Sequence, residues 1–94
     1  MYSLKQATRD LMLTADLLEV LGEDSFRAQA YRSAARSLEA SGRSWAELTQ
    51  AGFAGLPKVG KALSAALQEA EQSGNFGPLQ EATQQLPAGL LELL

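Results

Sequence analysis

The chain has 94 residues, 46% of them hydrophobic and 20% charged, a composition that folds into one small globule and not into a disordered tail. It holds neither cysteine nor histidine, which excludes disulfides, thiolate metal sites, and the commonest general base and neutral metal ligand. No apolar run approaches the roughly 18 residues of a membrane span and no signal-peptide pattern opens the chain, so a reducing, cytoplasmic setting is expected.

The first predicted helix opens at Ser3, whose spacing to Gln6 is that of a capping box. Leu4, Leu11, Ala15, Leu18 and Leu21 form an apolar stripe at helical spacing, and Gly22 supplies the stop. A second helix is expected from Asp24 or Ser25, both good N-caps, to Gly42. Phe26, Ala30, Ala34 and Leu38 recur every four residues along it and are expected to face the core, the alanines allowing a close neighbour. Arg32 and Arg36 lie one turn apart on another side. A second capping box, Ser44 to Glu47, opens a short third helix that ends before Gly52, with Trp45 expected as a lid on the core.

A fourth helix is predicted from about Gly60 to Gly74, followed by a turn at 73–77. Pro78 suits the first turn of a short fifth helix, and Pro87 the same role for the segment 88–94. No alternating β-branched run exists. The expected fold is all-α: a compact bundle of four main helices plus short C-terminal helices. The leucines at 90, 91, 93 and 94 end the chain without a cap, and a domain cut from a longer chain is expected.

Charge is unevenly placed. The net value of −3 hides a basic middle, in which Arg27, Arg32, Arg36, Arg43, Lys58 and Lys61 face only Glu39 and Glu47, between two acidic ends. Within that middle lies "LPKVGK", residues 56–61, at the start of the fourth helix. The first amides of a helix lack intrahelical partners and carry partial positive charge, so they accept an anion. Gly60 lets a phosphate oxygen approach the backbone, Pro57 stiffens the entry, Leu56 and Val59 anchor the turn, and Lys58 and Lys61 add charge. The same hexapeptide is equally open to reading as an ordinary polar turn with solvated lysines.

The hexapeptide and its surroundings, "LPKVGKALSAAL" after "FRAQAYRSAARSL" and a first helix ending in "LLEVLGED", resemble the helix-hairpin-helix of the small N-terminal domain of family X DNA polymerases, the polymerase β-like group. The style is that of bacterial, Deinococcus–Thermus-like members, and the similarity runs over essentially all 94 residues. It implies that residues 1–94 are one helix-hairpin-helix domain, the N-terminal part of a longer polymerase, with "LPAGLLELL" leading towards a second such motif. The implied role is a sequence-nonspecific grip on gapped or nicked DNA at its 5′-phosphate side, in base excision repair and gap filling.

By position, the resemblance assigns DNA contact to Arg27, Tyr31, Arg32, Gly60 and Lys61; Lys58 joins them on its charge in the hexapeptide, not on the resemblance. It assigns a monovalent cation to the backbone carbonyls around Leu56 and Val59. No other cofactor is implied here; the Mg or Mn of nucleotidyl transfer would belong to the polymerase domain elsewhere, in a bacterial cytoplasm at the nucleoid.

Two departures from the family pattern stand out. The family turn reads "LPGVG" where this chain has Lys58, a costly residue if that position needs a positive φ. The lysine that serves lyase-active members as Schiff-base nucleophile falls on Ala66, so no catalytic residue is expected in this segment. Lys61 stands five residues earlier, roughly 140° around the helix, and does not replace it. Elsewhere, Arg36 is expected to pair with Glu39, and Asp10, Asp16, Glu69, Glu71 and Glu81 to be solvated. The alternative function is a helical protein-interaction domain that docks a partner through its acidic faces and leucine-rich end.

Overall fold

The computed structural model describes residues 2–22 and 25–85, with the backbone alone at Ser25. Five helices follow in order: α1 (Leu4–Val20), α2 (Ser25–Ala40), α3 (Trp45–Gln50), α4 (Lys61–Ser73) and α5 (Gly77–Gln84). Among the described residues there is no strand, and the all-α expectation holds. The expected cap at Asp24, the helix after Pro87 and the terminal leucines lie outside the described residues.

Local chemistry sets the helix ends. The Gln6 amide donates to Ser3 Oγ at 3.3 Å, and the Glu47 amide to Ser44 Oγ at 3.2 Å, so both expected N-caps satisfy an otherwise unpaired donor. The Ser44 hydroxyl also donates to Glu47 Oε1 at 3.3 Å. α4 ends in a left-handed C-cap at Gly74, and Pro78 stands in the first turn of α5.

α1 and α2 pack most extensively, with Ala7, Leu11, Ala15 and Leu18 of α1 in one core with Ala28, Tyr31, Ala34, Ala35 and Leu38 of α2. The buried alanines bring the two backbones close. Leu48, Phe53, Leu56, Leu67, Ala70 and Phe76 complete that core from α3, the α3–α4 loop, α4 and the α4–α5 turn. A smaller cluster, Leu17 with Ala82, fixes α5 against α1.

The buried face of α2 differs from the expected one. Ala34 and Leu38 are buried, but Phe26 is 82% exposed and Ala30 lies in solvent. A strict four-residue repeat drifts around a helix of 3.6 residues per turn, and the observed face combines steps of three and four: 28, 31, 35 and 38. Tyr31 carries the volume that Phe26 was expected to supply.

A second correction concerns the carboxylates. Asp10 is not solvated: it is 6% exposed and accepts a 2.7 Å hydrogen bond from the Tyr2 hydroxyl. Burial first, and that hydrogen bond second, push the Tyr2 phenol well above the usual tyrosine range. Glu71 accepts from the Trp45 indole N–H, whereas Asp16, Glu69 and Glu81 are exposed as expected, Asp16 also pairing with Arg32. Trp45 lies between Tyr2 (ring centroids 5.6 Å apart) and Phe53 (5.4 Å), a core lid as its sequence context suggested.

Leu38→Ala should therefore cost about 2–5 kcal/mol in urea unfolding, while Ala30→Ser should cost under about 1 kcal/mol. Comparable losses at both positions would mean that the Ala30 face is buried in solution.

Candidate nucleic-acid interface

The loop between α3 and α4 is built on left-handed backbone. Gly52 (φ 64°), Phe53 (φ 61°), Gly55 (φ 80°) and Lys58 (φ 68°) all take positive φ between α3 and α4. Phe53 tolerates this because it is locked in place. Its amide donates to the Leu48 carbonyl at 2.9 Å, and its ring is buried against Trp45. Further along, Leu56 is buried, Val59 packs at the core edge, and Ser37 Oγ of α2 donates to the Pro57 carbonyl at 2.5 Å. These ties fix the turn relative to α2 and α4.

Beyond Lys58 the chain enters α4 through Gly60, an N-cap with φ −83° and ψ −179° and no side-chain cap. A Cβ at Gly60 would meet nothing within 4 Å. Lys58, Gly60 and Lys61 are all exposed, and no ion pair engages either lysine among the described residues. The turn therefore brings together an uncapped helix N-terminus and two unpaired cations. Ser37 holds the Pro57 carbonyl, whereas no hydrogen bond from the described residues reaches those of Leu56 and Val59.

Arg27 and Tyr31 share a second feature, an open cleft of about 290 Å³ between α2, α4 and α5, with Ala62, Leu63 and Pro78 as its apolar walls. Tyr31 is 8% exposed and meets Phe76 edge-on at 6.4 Å, so it forms the cleft's floor more than a free stacking platform. Ala66 is half-buried against the core.

Arg32 is directed elsewhere. Its guanidinium donates to Asp16 Oδ1 at 2.9 Å and Glu19 Oε1 at 2.5 Å, both on α1, away from the Lys58–Lys61 turn. The expected Arg36–Glu39 ion pair does not form: Glu39 lines a groove with Lys5 and Arg9, whereas Arg36 borders a cleft beside Pro57. Arg43, which no motif marked, borders the same cleft. Only its place in the basic middle of the chain hinted at it. Among the described residues no cluster of three acidic side chains could hold a metal ion, and no helix is long and apolar enough to cross a membrane.

A short helix, a loop of left-handed residues and a second helix led by an open glycine make up a helix-hairpin-helix unit. Residues 4–76 match the helix-hairpin-helix domain family, and the chain belongs to that family. The chain is also 30% identical, over 90 residues, to the Bacillus subtilis (strain 168) protein named DNA polymerase/3'-5' exonuclease PolX. That match covers 96% of this chain and 15% of the relative.

The Arg32 clamp predicts a pH signature. Hydrogen bonding first, and charge second, hold the Glu19 carboxyl below its ordinary range. A group whose folded pKa is depressed contributes stability above its unfolded pKa and loses it as pH falls through the folded value. Glu19 should titrate by carboxyl NMR below the ordinary glutamate range, and Arg32→Gln should return it there. A Glu19 midpoint unmoved by Arg32→Gln would show that the clamp does not form in solution.

Proposed function

We propose that this domain is a sequence-nonspecific DNA-binding module of a family X-type polymerase, holding phosphates at the α3–α4 turn. The observation that carries the reading is a pair of mismatches within three residues. Gly60 occupies a backbone conformation open to any residue, with free space where a side chain would go. Lys58 occupies a left-handed conformation that favours glycine, at a cost of roughly 1–2 kcal/mol. The fold gives Lys58 no support, and at Gly60 it would take a Ser, Thr, Asn or Asp cap at least as well. Both choices make sense for a partner outside the fold: glycine clears the approach to the α4 amides, and lysine meets its charge.

The likeness to the Bacillus subtilis polymerase supports placing the module beside a polymerase domain that carries the metal-dependent chemistry. On this reading the 5′-phosphate side of a gap sits near the cleft of Arg27 and Tyr31, with Arg27 as its charge. Arg32 joins the grip only by exchanging Asp16 and Glu19 for phosphate. The carbonyls of Leu56 and Val59, untouched by other donors, suit a monovalent cation. Base excision repair and gap filling are the settings this grip would serve. Ala66 offers no amine for a Schiff base, so borohydride should trap no adduct between the domain and an abasic site.

A second reading has its own observation. Met12, Leu13 and Val20 expose apolar surface on α1, next to an acidic face, as a protein-docking helix would. Salt separates the two, since phosphate binding weakens steeply with added salt and apolar docking does not.

Fluorescence anisotropy with a one-nucleotide-gap duplex should give a Kd of roughly 10⁻⁴ to 10⁻⁶ M, tighter with the 5′-phosphate and weaker as salt rises. Absence of binding at low salt would sink the DNA reading and leave the docking one. Lys58→Gly should raise stability by about 1 kcal/mol yet weaken binding and lower the salt slope by about one. Gly60→Val should cost about 0.5–1 kcal/mol, as valine is a poorer N-cap than glycine, and weaken binding several-fold, because its methyls occupy the approach to the amides. If Gly60→Val binds as the parent does, the amides are not the contact.

A further inference from the structure

Between the C-terminal half of α2 and the α3–α4 loop lies an open cleft of about 350 Å³ that carries two arginines and no carboxylate. Arg36 enters it from α2, and Arg43 from the segment after α2. Neither has an ion-pair partner among the described residues. The nearest acidic neighbours along the chain lie outside the cleft: Glu39 lines the groove that also holds Lys5 and Arg9, and Glu47 accepts from Ser44.

The remaining polar groups of the cleft leave the guanidiniums as its available donors. Ser37 Oγ donates to the Pro57 carbonyl and Ser41 Oγ to the Leu38 carbonyl at 2.8 Å. Ser41 Oγ also accepts from the Arg43 amide at 3.2 Å, which pins the Arg43 backbone at the rim. The Arg43 side chain makes one long contact, Nη1 to the Ala54 carbonyl at 3.4 Å. A guanidinium has five N–H donors, so most of them point to no protein acceptor.

Two guanidiniums lining one cleft without a counter-ion raise its positive potential and favour an oxyanion there. Pro57 ties this site to the hairpin, since it forms a wall of the cleft and is held by Ser37, the neighbour of Arg36. We infer that the Arg36–Arg43 cleft is a second phosphate site, which takes a further phosphate of the strand whose backbone crosses the turn at Gly60. The site rests on the reading of the turn as a DNA grip. It extends the contact along the backbone and adds no base readout, because arginines held in a cleft beside phosphate position the duplex without reading it.

The test is a titration of the ¹⁵N-labelled 94-residue chain with a one-nucleotide-gap duplex, following the Arg36 and Arg43 Nε–H signals beside the Gly60 and Lys61 amides. The expected result is that all four move with one binding curve. In parallel, Arg36→Gln/Arg43→Gln should weaken binding several-fold and lower the salt slope by about one, since both side chains serve one phosphate. Both positions are exposed, and an unchanged thermal melt would confirm that the variant folds. Moving amides with still arginine signals would overturn the second site and leave the hairpin grip standing. Stillness of all four would overturn both.

Discussion

The geometry of this domain depends on one buried aromatic in an unfavourable backbone conformation. Phe53 is left-handed at φ 61°, which for a bulky residue persists only when its surroundings enforce it. The enforcement is visible. Its ring is buried against Trp45, its amide is held by Leu48, and Trp45 is in turn held by Glu71 of α4. α3 and α4 are thereby joined through a loop whose path is set before the exposed part, Pro57 to Gly60, begins. The exposed turn inherits its rigidity from a core residue that never meets a ligand.

Much of this was legible in the sequence, and the failures have physical causes. Helix ends were readable because caps and glycines act locally: Ser3, Ser44, Gly22, Gly42 and Gly74 all stand where their chemistry implied. The strain at Lys58 was legible as a condition, and its φ of 68° meets that condition. The burial of α2 was misread because a regular four-residue repeat of apolar side chains looked like a face, while the face with the most partners ran through Tyr31. Side-chain pairs distant along the chain were the least legible. The Tyr2 hydrogen bond to Asp10 and the ion pairs of Arg32 with Asp16 and Glu19 join residues 8, 16 and 13 positions apart, separations that only the packing of the chain brings together.

A local rule broken without benefit to the fold, a lysine at positive φ, is what sets the turn apart in this sequence. Gly22, Gly42 and Gly74 take positive φ, as glycines at helix ends do, and the fold explains them. Gly60 does not, and Lys58 sits where a glycine would relieve strain. No single helix cap or lysine would carry this argument. The strained lysine and the open glycine lie within three residues of each other, on one exposed turn.

The antiparallel pairing of α1 and α2 also explains which cations remain available. α1 is basic in its first half, at Lys5 and Arg9, and acidic in its second, at Asp16 and Glu19. Its acidic half lies beside the N-terminal part of α2 and takes up Arg32; its basic half lies beside the C-terminal part and meets Glu39. Arg32 of α2 is thus engaged by the neighbouring helix, and Glu39 shares a groove with its two cations. Arg36, between them on the chain, turns to the opposite side, where no carboxylate answers it. The same sorting leaves Arg36, like Arg43, Lys58 and Lys61, without an ion pair among the described residues, so a chain with a net charge of −3 keeps unpaired cations around its exposed turn.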